Sequence, residues 1–107
     1  MEKFIGEFLA GSGLKFSGMK YKVIDSIKDF EKACDCIIVK SLSPDYSILL
    51  GSLKLIIAEA GSALSHLAIV GREQSIPILL VEDIISRIPK SGALSINGNV
   101  VEIKNRE

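Results

Sequence analysis

Apolar residues recur along this chain in short blocks, separated by glycine, proline, serine and asparagine, which is the rhythm of short strands and brief helices. Residues 3–9 read as an opening extended segment, followed by a glycine-rich loop at Ala10-Gly11-Ser12-Gly13. A strand is predicted over residues 19–24, then a short helix beginning near Ser26 or Asp29. Cys36-Ile37-Ile38-Val39 is a continuous β-branched run, the pattern of a strand buried on both faces. Ser43-Pro44-Asp45 opens a helix with a hydroxyl cap, a proline at the first helical position and an early acid near the positive end. That helix is expected to end by Gly51.

Residues 54–59 give a second buried strand with Leu-Ile-Ile-Ala at its centre. A tight Gly61-Ser62 turn leads into a helix from about Ser65 to Gln74. Ile78-Leu79-Leu80-Val81 is strand-like, and residues 82–88 make a brief helix. The C-terminus reads as a hairpin: residues 93–96, an Asn97-Gly98 turn, then residues 99–103. Strands alternate with helices in the middle and pair antiparallel at the end, so the fold class is α/β or α+β with a mixed sheet.

Length bounds this picture. At 107 residues, 48% hydrophobic and 24% charged, the chain makes a single domain over residues 1–107 with a core that needs no staples. Thirteen basic residues balance thirteen acidic ones without segregating, which argues against nucleic acid or an anionic membrane as partner. The longest uncharged stretch, residues 60–71, falls well short of the ~20 residues of a membrane helix. Glu7 interrupts the only candidate signal-peptide core, so a cytoplasmic location is expected. Cys34 and Cys36 are too close for an unstrained disulfide and have no second pair for zinc; they read as plain thiols at a strand edge.

His66 is the only histidine, and it stands where a strand and a Gly-Ser turn deliver the start of a helix. Unpaired N–H groups and the positive dipole end collect there, which suits an anion. The same dipole disfavours an imidazolium and so favours a neutral, nucleophilic ring, as phosphoryl transfer through histidine requires. Taken alone, such a histidine is also compatible with a cap or a packing residue. A metal site is a poor fit, because no second histidine or cysteine lies nearby. A Ser–His hydrolase built on Ser65 and His66 is a poor fit too, since Gly61 to Ser65 forms no G-x-S-x-G elbow.

The stretch Gly61-Ser62-Ala63-Leu64-Ser65-His66-Leu67-Ala68-Ile69-Val70-Gly71-Arg72-Glu73-Gln74-Ser75-Ile76-Pro77 resembles the signature of the phosphohistidine (swivelling, or mobile) domain of PEP-utilising enzymes. That group includes pyruvate phosphate dikinase, PEP synthase and enzyme I of the sugar phosphotransferase system. The pattern, roughly G-G-x-[TL]-S-H-x-A-I-x-A-R-E-x-G-I-P, is matched at Gly61, Leu64, Ser65, His66, Ala68, Ile69, Arg72, Glu73, Ile76 and Pro77. Ser43-Pro44-Asp45 and the closing hairpin are similar to further family segments, and residues 12–18 echo its early loop more loosely. The chain departs from the pattern at Ser62, for the second glycine of the turn, at Gly71, for an alanine, and at Ser75, for the glycine that ends the helix. Leu64 stands where some members carry threonine.

The resemblance implies a three-layer β/β/α swivelling sandwich with a mixed sheet. It implies that His66 is the phosphoryl acceptor and that Ser65 orients its ring or donates to the phosphoryl group. Ser65 as a plain N-cap is the simpler alternative. Gly61 and Ser62 would let backbone amides approach the phosphate, or simply make a tight turn. Arg72 and Glu73 would meet a partner, or form a solvated charge pair. The family's enzymes add an ATP-grasp module, or another phosphoryl donor, and a barrel that binds PEP or pyruvate. This sequence holds no Gly-rich ATP loop with a lysine and no carboxylate cluster for magnesium. The expectation is therefore a freestanding carrier without intrinsic cofactor or metal, a phosphotransferase component lacking a complete active site. A separate ATP-grasp-type or PEP/pyruvate-binding chain would handle Mg-ATP or PEP. The alternative is a non-catalytic interaction or regulatory remnant of the same fold.

Overall fold

A computed structural model describes residues 2–103 of the chain. Eight strands are present: β1 Glu2–Ile5, β2 Glu7–Ala10, β3 Leu14–Val23, β4 Cys36–Val39, β5 Leu55–Ala58, β6 Ile78–Leu80, β7 Ser91–Gly98 and β8 Val100–Ile103. One α-helix lies among the described residues, α1 His66–Glu73, with 3₁₀ segments at Ile27–Asp29, Pro44–Ser52 and Ile85–Arg87. All eight strands join one mixed sheet in the order β1-β8-β7-β3-β4-β5-β6-β2. The four strands β3 to β6 run parallel, and the remaining pairings are antiparallel.

β1 and β2 lie at opposite ends of that order, yet only Gly6 separates them in the chain. Laid flat, eight strands would put the outermost pair about 34 Å apart. Two Cα steps span only about 7 Å. The sheet therefore curls until its edges nearly meet. Gly6 joins them by donating its N–H to the Asn99 carbonyl at 2.9 Å, while the Asn99 side-chain amide donates back to the Gly6 carbonyl at 2.9 Å. A side chain at residue 6 has no room: a Cβ would lie 2.6 Å from Leu79 Cγ and 2.8 Å from the Leu80 carbonyl oxygen.

Alternation along β4, β5 and β6 sorts their side chains into two clusters. Cys36, Ile38, Leu55, Ile57 and Leu79 turn inward to meet Phe4, Met19, Tyr21, Leu94, Ile96, Val101 and Ile103 from the antiparallel strands. Ile37, Val39, Ile56, Ala58 and Ile78 turn outward, beneath Tyr46, Leu49 and Leu50 and beneath Leu67 and Ala68 of α1.

Several local expectations need correction. The opening segment is two strands, because Gly6 turns the chain from one sheet edge to the other. β3 starts at Leu14, five residues earlier than its pattern suggests, since much of it is exposed and polar. Its register against β7 shifts between Phe16 and Met19, with Gly18 at a φ of 72°. The segment opened by Ser43 and Pro44 starts as expected, with Ser43 Oγ accepting from the Asp45 N–H, but it winds as a 3₁₀ segment. The helices expected near residues 26 and 82 are single 3₁₀ turns, the second held by Glu59, whose carboxylate accepts from the Ile85 N–H at 2.8 Å. Asn97 pairs with Val100, so the closing hairpin turns at Gly98-Asn99, one residue later than predicted. Gly98 there has a φ of 68°. The shift places Asn99 where it binds Gly6.

Cys36 is not at a sheet edge, and Cys34 lies outside the strand, just before it. β4 has β3 and β5 on its two sides, and both thiols are free and buried. Burial, chiefly, pushes the Cys36 thiol far above its ordinary range, with Cys34 and Asp35 adding to the effect. Burial likewise raises Cys34 and the Tyr21 phenol.

Gly6→Ala is expected to cost about 1–3 kcal/mol in denaturant unfolding, because Leu79 and the Leu80 carbonyl must give way. Cys36 should resist a disulfide reagent at pH 8 until the chain is denatured. The raised groups hold their protons to higher pH in the folded chain than in the unfolded one, so their stabilisation is complete below the ordinary thiol value of 9.0. It is lost as pH rises past that value, where the unfolded chain ionises first. Melting temperatures measured from pH 7 to pH 11 should accordingly fall on the alkaline side.

Candidate functional site

Parallel strands deliver their C-terminal ends to the same side of a sheet, and binding loops gather there. The segments leaving β4, β5 and β6 meet at that side. Past β5, the N–H groups of Glu59 and Ala60 still donate to the carbonyls of Val39 and Lys40, which carries the pairing on toward residues 61–65. Gly61 then passes so close to the neighbouring segment that a Cβ would lie 2.7 Å from Leu42 Cδ1 and 3.0 Å from its Cγ. Its φ is not positive, so the glycine answers to close approach and not to an unusual backbone angle. Ser62 also avoids positive φ, which explains why the chain manages without a second glycine.

Two serines organise the loop. Ser62 Oγ accepts from the Leu64 N–H at 3.0 Å, and the Ser62 carbonyl accepts from the Ser65 N–H at 3.0 Å. Ser65 is the N-cap of α1: its backbone is extended and its Oγ accepts from the Ala68 N–H at 3.3 Å. The Ser65 carbonyl takes the Ile69 N–H. Among the described residues, the N–H groups of His66 and Leu67 meet no acceptor. The first turn thus keeps two free donors at the positive end of the helix dipole. His66 is the first residue of α1, and it is exposed. Neither serine hydroxyl bonds to it, so no Ser–His pair is assembled.

α1 buries Leu67, Ala68 and Gly71 against the sheet. The opposite face shows His66, Ile69 and Glu73, at i, i+3 and i+7 spacing. Leu64, two residues before the histidine, is 83% exposed. Arg72 is engaged within the chain: Nη1 donates to the Leu9 carbonyl at 2.7 Å and Nη2 to the Ala63 carbonyl at 2.8 Å. Glu73 makes no ion pair among the described residues. The sequence did not signal Leu42 and Leu9, which shape the loop from separate segments, since nothing local marks them.

The helix ends in a Schellman motif, with Ile76 N–H donating to the Gly71 carbonyl at 2.8 Å and Ser75 N–H to the Arg72 carbonyl at 3.3 Å. Ser75 therefore occupies the left-handed position, at a φ of 62°, where glycine is the unstrained choice. Gly71 faces Ile78, whose Cδ1 would lie 2.8 Å from a Cβ there.

The family model of the PEP-utilising enzyme mobile domain matches residues 32–100, well over half of the chain, with the loop and helix of this site inside it. The chain belongs to that family. The mobile domain is also similar to a UPF0107 protein solved in solution by NMR at the Northeast Structural Genomics Consortium. The TM-score is 0.64 at 14% identity, over 97% of this chain and 100% of that one. At that identity the likeness speaks for the fold alone. No curated protein matches the chain. Among the described residues of the mobile domain, no cluster of three His, Cys, Asp or Glu side chains is placed to hold a metal ion. No helix there is long and apolar enough to cross a membrane.

Because Ser75 is held in a conformation that costs L-residues about 1–2 kcal/mol, Ser75→Gly should raise unfolding stability by about 1 kcal/mol, less the extra freedom glycine gives the unfolded chain. Urea midpoints of the two proteins, compared at equal slope, check this.

Proposed function

We propose that this mobile domain is a cytoplasmic phosphoryl carrier. His66 is transiently phosphorylated at a donor site that handles ATP or PEP, and passes the group to an acceptor site on a partner chain. One observation carries the reading: in a member of this family, the sole histidine is exposed at the first residue of a helix, and its own N–H is unpaired among the described residues. A neutral imidazole nitrogen offers its lone pair to phosphorus while the bond to the leaving oxygen loosens, so charge builds on the three equatorial oxygens. The exposed His66 N–H and the positive end of the helix dipole favour that charge. Ser65 uses its oxygen as cap acceptor, which leaves its O–H hydrogen free to donate to the phosphoryl group. Gly61 and Ser62 set the course of the loop over which the phosphate lies.

The partner is an ATP-grasp-type or PEP/pyruvate-binding chain, and it supplies the magnesium and the nucleotide or PEP cradle. It meets the face that His66 shares with Leu64, Ile69 and Glu73. The two side-chain clusters, one under the helical segments and one among the antiparallel strands, support the β/β/α layering of a swivelling domain.

The purified chain should remain unmodified with Mg-ATP or with PEP alone. With an ATP-grasp-type or PEP-binding chain added, it should gain one acid-labile, base-stable phosphoryl group, read by intact-mass spectrometry. His66→Ala should abolish uptake and change stability by less than about 0.5 kcal/mol, as for an exposed site. Uptake that survives His66→Ala, or a loss of several kcal/mol in that variant, overturns the carrier reading. Absence of uptake with every such partner favours the interaction remnant.

A further inference from the structure

We infer that the crevice beside the His66 loop holds a second site, which takes a guanidinium group between Asp25, Asp45 and the Tyr46 hydroxyl. A cavity of about 310 Å³ opens where the chain leaves β3 and β4, with residues 25–28 on one side and Ser41, Ser43, Asp45 and Tyr46 on the other. Tyr46 is only 5% exposed, yet its hydroxyl meets no hydrogen-bond partner among the described residues. No side-chain oxygen or nitrogen is sealed without a partner there, so that hydroxyl opens into the cavity. The carboxylates of Asp25 and Asp45 make no ion pair and accept no hydrogen bond among the described residues. Asp29 is partly spent, its Oδ2 accepting from the Asp25 and Ser26 N–H groups at 3.0 and 3.3 Å. Burial raises the Tyr46 phenol above its ordinary value, and Asp25, Asp29 and Asp45 raise it further, as nearby carboxylates do. Lys28 is the one cation in the lining, and it pairs with none of them.

Unpaired acceptors around a buried hydroxyl suit a cation. Magnesium fits poorly, because among the described residues no three carboxylates are placed to hold a metal ion. An ammonium is a compact, strongly hydrated charge, costly to bring against a buried ring. A guanidinium is weakly hydrated, and its planar set of five donors serves two carboxylates and a phenol oxygen together. The site adjoins the His66 loop, since a Cβ on Gly61 would lie 2.7 Å from Cδ1 of Leu42, between the two serines of the wall. Its geometry does not depend on the carrier reading.

The test titrates the ¹⁵N-labelled chain with ethylguanidinium chloride, and separately with ethylammonium chloride and magnesium chloride, at constant ionic strength. Amide shifts are followed by NMR. Ethylguanidinium should give saturable shifts confined to residues 25–29 and 41–46. Ethylammonium should bind about tenfold more weakly, and magnesium should give no saturable shift. The Kd for ethylguanidinium should rise about tenfold in Asp25→Asn and in Asp45→Asn, which each remove a charged acceptor. It should rise about threefold in Tyr46→Phe, which keeps the buried ring and removes the hydroxyl. Glu82→Gln, an exposed carboxylate outside the cavity, should leave it unchanged. A capped Gly-Arg-Gly peptide distinguishes the sources of the group. Tighter binding than ethylguanidinium assigns the site to an arginine of a polypeptide, weaker binding to a free guanidino compound, and both support it. Shifts that do not saturate, ethylammonium binding as tightly, magnesium binding more tightly, or a Kd unmoved in both aspartate variants overturns the inference. If Asp45→Asn does not fold, Asp25→Asn and Tyr46→Phe carry the comparison. Phosphorylation of His66 enters none of these readouts, so the carrier reading stands or falls separately.

Discussion

Everything in this molecule depends on a parallel sheet that must be covered on both faces. Every side chain of β4 and β5 is fully buried, so neither strand can face water and each backbone N–H and C=O must be paired inside the sheet. A chain of this size has few helices with which to cover two faces. It covers one with α1 and the 3₁₀ segment Pro44–Ser52, and the other by curling its own antiparallel strands underneath. The curl lets a one-residue link at Gly6 join the two edges, and it also removes the hazard of a long open edge.

The same constraint sets the site. Pairing that runs past β5 holds the chain to Val39 and Lys40 until residue 61, which passes Leu42 only because a glycine has no side chain there. From there the loop is braced by short-range hydroxyl contacts at Ser62 and Ser65 and by a long-range one at Arg72. Each contact fixes a turn or ties the loop to its neighbours, and the N–H groups of His66 and Leu67 are left unpaired by the helix starting there. Residues 60–71 carry no charge, so the loop itself brings no charged side chain to the histidine. Stabilisation of an anion here falls to backbone donors and the helix dipole, with charge neutralisation left to a partner under the carrier reading.

The departures from the family pattern have physical accounts. Ser62 needs no positive φ, and its hydroxyl contributes a turn that a glycine could not make. Gly71 gives room to Ile78. Ser75 is the one that carries strain, and it lies at the far end of α1 from His66. The loop that bears His66 is therefore unstrained by the changes around it.

Short-range chemistry was legible in the sequence. The buried runs of β4 and β5, the Ser43 and Pro44 start, the Ser65 cap and the exposed His66 at a helix N-terminus all follow from patterns within a few residues. The family motif also lies in one continuous stretch. What the sequence could not say concerns partners far apart along the chain. Closure at Gly6 depends on Asn99 and Leu79, and it moves the hairpin turn by one residue. The buried setting of Cys36 depends on β3 and β5 flanking it. Gly61 is explained by Leu42, and Arg72, which by its local pattern is a surface charge, is claimed by carbonyls at Leu9 and Ala63. Periodicity reports which face of an element is apolar, but not which distant backbone group will lie beside it. That is decided only when the sheet curls and brings its edges together.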